Sequence, residues 1–139
     1  MRARRLSPAA AVVVLGVLVF TPGAQACSCA RTAPAVAMRQ ADAAFVGELV
    51  RVIPRSRLRA DYRYRVQRVY KRGKGIRRGR VISVRSAKDS AACGLPRRSG
   101  RRYGLLLRRG EGRWTGGLCG VLRPGLLEAA AARVPSCAS

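Results

Sequence analysis

Histidine is absent from the 139 residues, and aspartate and glutamate together number six. Without imidazole the chain has no His-based metal site, no Ser-His-Asp or Cys-His group, and no side chain that ordinarily exchanges a proton near neutrality. The six carboxylates stand apart in sequence, with no close pair suited to general acid/base work. The expectation is therefore a protein that is not an enzyme and carries no cofactor of its own. Long apolar runs are scarce as well: Ala9 to Phe20 is twelve residues, well short of the ~20 that span a bilayer as a helix. Internal repeats and low-complexity linkers are missing too.

What is present begins with a leader. Arg2, Arg4 and Arg5 make a positive start, Ala9 to Phe20 an apolar stretch, and Thr21-Pro22-Gly23 a break before the small-residue site Ala24-Gln25-Ala26. These are the parts of a secretory signal peptide, residues 1–26, removed on export. Cleavage after Ala26 makes Cys27 the first residue, with a free α-amine that can ligate a metal. Ala24-Gln25-Ala26-Cys27 also reads as a poor lipobox, with Ala24 where Leu is usual. Acylation there would anchor the protein by lipid and block the amine.

Residues 27–139 are enough for one small domain. A core of that size benefits from cross-links, and all five cysteines (Cys27, Cys29, Cys93, Cys119 and Cys137) lie behind the leader. Export places them where disulfides persist. Four can pair and one is left over. A redox Cys-X-Cys and a zinc site built from four cysteines are the alternatives from residue type alone.

Three of the 29 basic residues leave with the leader, so the exported chain carries 26 against the six acids. Such a surface attracts polyanions. The basic residues Arg77 and Arg78 in one loop, and Arg97, Arg98, Arg101 and Arg102 in another, are the candidate polyanion-binding positions. A solvated basic surface is the plain alternative, and a GC-rich codon bias yields the same surplus of Ala, Gly and Arg. Nucleic-acid binding would require exposed stacking aromatics. Tyr62, Tyr64, Tyr70, Tyr103 and Trp114 read largely as core.

Along the chain, Pro34 to Asp42 predicts a short helix opened by Pro34 with Thr32 as cap. Ala43 to Ile53 predicts a strand buried on much of both faces. From Tyr62 to Tyr70 the pattern alternates, with Tyr62, Tyr64 and Val66 on one face and Arg63, Arg65 and Gln67 on the other. Lys71 to Arg80 predicts a solvent loop. Further strands are expected at Val81–Arg85, Tyr103–Arg108 and Arg113–Leu118, the last two joined by a turn whose glycines take positive φ. Leu126 to Val134 predicts a helix stopped by Pro135. Five short strands and flanking helices suggest a mainly β fold, a small curved barrel. Composition also admits a sandwich or a flat α+β domain.

The Cys-X-Cys start, Ala44-Phe45-Val46-Gly47, Val66 to Lys71, Ala92-Cys93-Gly94, Tyr103-Gly104-Leu105-Leu106 and Leu118-Cys119 together resemble the netrin-like module. Within it the chain is most similar to the N-terminal domain of the tissue inhibitors of metalloproteinases. The resemblance runs from Cys27 to about Cys119. It implies a disulfide-stapled, five-stranded oligonucleotide/oligosaccharide-binding (OB) barrel, with Cys27 joined to Cys93 and Cys29 to Cys119. The family's third bridge lacks its partner here, which leaves Cys137 as a free thiol or an intermolecular link. The resemblance further implies that the amine and carbonyl of Cys27 chelate the zinc of a metalloproteinase partner while Ser28 enters its specificity pocket. The chain departs from the family pattern at Ala30-Arg31, where an apolar residue and a proline are common, and in a short, basic loop between the first two strands. The expected function is a secreted metalloproteinase inhibitor; the alternative is a basic module for anionic envelope or matrix polymers.

Overall fold

A computed structural model describes residues 27–135. The leader and Cys137 lie outside the described residues. Helix α1 (Pro34–Gln40) precedes strands β1 (Ala43–Pro54), β2 (Arg59–Lys71), β3 (Val81–Ala87), β4 (Arg102–Gly110) and β5 (Arg113–Thr115). A 3-10 turn (Leu118–Gly120), the short strand β6 (Val121–Leu122) and helix α2 (Pro124–Ala132) complete the chain.

Strand β1 pairs antiparallel with β2 along its length and with β4 through Ala43 to Glu48. It can serve both because its pairing with β2 shifts register three times, at Ala44/Phe45, Val46/Gly47 and Leu49/Arg51. Such bulges bend and twist a strand. Gly47 lies at one of them, where a Cβ would stand 2.7 Å from the Phe45 ring and 3.0 Å from the Arg65 carbonyl oxygen. The order β1-β2-β3-β5-β4 then returns to β1, giving a ring of five strands with β6 outside β4. Its weakest closure is β3 with β5, parallel over two residue pairs, Val84 with Trp114 and Arg85 with Thr115. The mainly β, OB-like architecture expected of the sequence is the one observed.

Phe45, Leu49, Tyr62, Tyr64, Val66, Val84, Leu105 and Leu107 fill the ring. A second layer, Met38, Ala44, Val46, Leu106, Leu127 and Ala130, packs the two helices on its outside. Ala43 to Gly47 are consequently buried on both faces, as the unbroken apolar run implies. Fully burying a side chain of this size contributes roughly 1.5–3 kcal/mol.

Several boundaries differ from expectation for identifiable reasons. Helix α1 stops at Gln40 because the Asp42 carboxylate accepts a hydrogen bond from Arg109 N at 2.7 Å, and Asp42 N donates to Leu107 O at 2.8 Å. Thr32 does not cap it; the N-cap is Ala33, without a side-chain bond. The Lys71 ammonium instead donates to the Arg39 and Ala41 carbonyls at the other end. The basic loop after Lys71 is less solvated than its composition suggests, for Ile76 is buried and Trp114 Nε1 donates to Lys74 O at 3.1 Å. In the β4–β5 turn the positive φ falls on Glu111 and Gly112, not on Gly110. Strand β5 ends at Thr115, and Leu118 belongs to the 3-10 turn. Helix α2 starts two residues before Leu126, with Pro124 in the first turn where its missing N–H costs nothing.

Candidate functional site

The segment Cys27 to Ala33 has no regular structure of its own. Cross-links hold it. Cys27 is bonded to Cys93 across 66 residues and Cys29 to Cys119 across 90, the pairs implied by the family resemblance. Ser28 is exposed between them.

The receiving cysteines are themselves brought together. Asp89 Oδ1 accepts from Ala92 N at 2.8 Å, and Asp89 O from Gly94 N at 2.8 Å, folding Asp89 to Gly94 into a tight loop. Cys93 sits there at φ 59°, a left-handed conformation uncommon for a side-chain-bearing residue. Gly94 is required, since a Cβ would lie 2.4 Å from Ala87 O and 2.5 Å from Asp89 O. Leu118 N donates to Cys93 O at 2.8 Å, which seats the Cys119 turn beside Cys93. The sulfurs of Cys27, Cys93 and Cys119 lie within 4.8 Å of one another. Both pairs are joined as disulfides, which leaves no thiolate for a four-cysteine zinc site. Among the described residues, no hydrogen bond engages the nitrogen or carbonyl of Cys27.

The short loop between β1 and β2 adjoins the same surface. Lys88 N donates to Leu58 O at 2.9 Å, and Leu58 is 72% exposed. Ser56 Oγ accepts from Leu58 N and Arg59 N, tightening the loop tip. Beneath it lies Asp61, 5% exposed, which accepts from Arg85 Nε at 2.8 Å and from Arg55 Nε at 2.5 Å. The hydrogen bond from Arg85 is the largest influence holding the Asp61 carboxyl below its ordinary value; burial opposes it and Arg55 assists. A carboxylate whose folded pKa is depressed contributes stability in full above its unfolded pKa, and the contribution is lost as pH falls through the folded value. Asp61→Asn is expected to cost roughly 2 kcal/mol at pH 7, less than a fully buried pair because the arginines are partly exposed. Urea unfolding at pH 7 and pH 3 checks this, since the gap between wild type and variant should shrink at the lower pH.

The six arginines proposed from sequence divide. Arg78 and Arg102 line one cleft of about 560 Å³, together with Arg68, Gln67, Tyr70 and the start of α2. Arg98, Arg101 and Arg102 line a second, with Tyr103, Arg123 and Pro124. Arg77 faces a separate hollow in its own loop beside Ile76, and Arg97 lines none of these. Arg68 and Arg123 were not singled out by sequence, for Arg68 lies within strand β2 and Arg123 between β6 and α2, outside the basic runs of the loops. Tyr62, Tyr64 and Trp114 are buried, as expected, whereas Tyr70 and Tyr103 are half-buried.

No helix among the described residues is long and apolar enough to cross a membrane. Comparison with protein-family models and with curated proteins gives no match to this chain.

Proposed function

We propose that the protein is exported, begins at Cys27, and acts as an inhibitor of a zinc metalloproteinase through Cys27 and Ser28. The observation that carries this is the cross-linked amino-terminal edge: two disulfides fix Cys27-Ser28-Cys29 while Ser28 stays exposed and, among the described residues, the backbone of Cys27 makes no hydrogen bond. A catalytic zinc keeps an open coordination position. The α-amine and carbonyl of Cys27 would chelate it, displacing the bound water, and the rigid edge keeps the entropy lost on binding small. Leu58, held beside Lys88 at the start of the Asp89–Cys93 loop, would extend the contact surface. Inhibition of one member of a panel of zinc endopeptidases by the exported protein tests the proposal. Its premise is checked first by intact mass, expected to match a chain starting at Cys27. An added diacylglyceryl group, or a retained leader, would defeat it.

A second reading has its own observation. The clefts beside α2 are lined almost entirely by arginine on their charged side, which favours a module for anionic polymers of the envelope or matrix. Retention on a heparin column that weakens as salt rises is the expected behaviour.

A further inference from the structure

Six arginines from four separated stretches of chain meet around the start of α2. Arg68, Arg78 and Arg102 line one cleft, Arg98, Arg101, Arg102 and Arg123 the other, and the two clefts share Arg102 and Pro124. They are thus two halves of one track. Its carboxylate is Glu128, which contacts Arg68 at 2.9 Å, but the two side chains are 63% and 60% exposed. A pair so exposed is weak and yields readily to a competing anion. Glu48 lies opposite Arg102 across β1 and β4 and accepts from Gln67 at 3.5 Å.

This arrangement is electrostatically unfavourable without a partner. Like charges are collected on concave walls, where the field is focused. The positive end of α2 points to the same place: Arg123 is its N-cap, with no side-chain cap and no acidic residue in the first turn. A helix start ordinarily favours anions there. The guanidinium fork matches oxyanions by paired hydrogen bonds. The aromatics at hand, Tyr70 and Tyr103, are half-buried and packed against the two core layers, unlike the open platforms on which bases stack.

We propose that the track holds a flexible linear polymer bearing sulfate or phosphate groups and no bases, passing from Arg78 by Arg68 and Arg102 to Arg98 and Arg123. This rests on the polymer-binding reading above and locates its site. A codon bias toward arginine makes a different prediction, that affinity follows net charge wherever the charge sits.

The test compares two triple variants of equal charge. Arg68→Ser, Arg102→Ser and Arg123→Ser together remove the centre of the track. Arg51→Ser, Arg59→Ser and Arg65→Ser remove three exposed arginines outside both clefts. Both are checked for native thermal unfolding, then titrated with a heparin hexasaccharide, with polyphosphate and with an oligothymidylate at about 0.15 M salt. The track variant is expected to bind the first two roughly tenfold more weakly, three surface charge contacts being lost. Its log-affinity against log-salt slope should fall by about 0.7 per contact. The control should change less than about twofold. Footprinting of the wild type with an arginine-selective dicarbonyl reagent should show Arg68 and Arg102 protected by ligand, whatever the variants do. Equal weakening of both variants with no such protection would overturn the track and leave general polyanion binding standing. Preference for oligothymidylate would overturn the choice of polymer. Absence of any binding by the wild type would remove the polymer-binding reading itself and the track with it. Discrimination between hexasaccharide and polyphosphate tells whether sulfate or phosphate groups are preferred, and tight binding of either supports the proposal.

Discussion

One alanine added ahead of Cys27 is expected to abolish inhibition of a zinc endopeptidase while leaving the rest of the protein unaltered. The extension turns the Cys27 amine into an amide nitrogen, which has no basic lone pair for a metal. The new amine stands one residue away, ~3.8 Å at the Cα, and no longer forms a five-membered ring with the Cys27 carbonyl. Disturbing the groups that hydrogen-bond to a metal's ligands already costs ~10–100-fold in affinity, so loss of the chelate itself should exceed about hundredfold. The disulfides Cys27–Cys93 and Cys29–Cys119 do not involve the amine. Melting temperature, connectivity and heparin retention should therefore be unchanged. Both proteins are verified by mass and assayed against the same panel. Inhibition that survives the extension would assign the contact to another surface, such as Leu58 and its loop. No inhibition by the unextended protein would leave polymer binding as the function.

Replacing Cys29 and Cys119 together by serine should lower stability by about 3.5 kcal/mol, because with Cys27 still joined to Cys93 the bridge closes a further loop of about 28 residues in the unfolded chain. The site suits the measurement. Both residues are exposed, so serine leaves no cavity in the core and the effect is chiefly that of the lost cross-link. For a domain of this size the melting temperature should fall by at least about 15 °C, read by circular dichroism under non-reducing conditions. A fall of only a few degrees would mean that the amino-terminal segment is held by packing instead. Inhibition should weaken as well, since Ser28 then hangs from the single bridge at Cys27 and its ordering must be supplied on binding.

Local chemistry was legible where a residue's environment is set by its neighbours in sequence. The alternation of Tyr62, Tyr64 and Val66 against Arg63, Arg65 and Gln67 placed β2 with its faces the right way round. The apolar stretch from Ala43 to Ile53 signalled a strand covered on both sides, which holds from Ala43 to Gly47 whereas Val50 is exposed and Val52 and Ile53 are half-buried, and Pro34 signalled the start of α1. Ends of elements were less legible, because they depend on distant partners: Asp42 leaves α1 to bond Arg109. Asp61 falls on the charged, outward face of β2, yet Arg55 and Arg85 close over it. An acid among basic residues was the available sign, and nothing in the period of the strand distinguishes a covered one from a solvated one.

The sequence by itself determined the small size of the domain, its mainly β character, the excess of arginine and the absence of imidazole chemistry, since these are properties of composition and of contacts a few residues long. Tertiary structure alone decided how the ring closes, through two parallel pairs between Val84–Arg85 and Trp114–Thr115. It also decided that Cys93 and Cys119 stand side by side to receive the amino terminus, and that Arg68, Arg102 and Arg123 line two adjoining clefts while Arg77 and Arg97 line neither. Each of these joins residues far apart in the chain, and the energy that fixes them comes from burying shared apolar surface, which no window of neighbouring residues records.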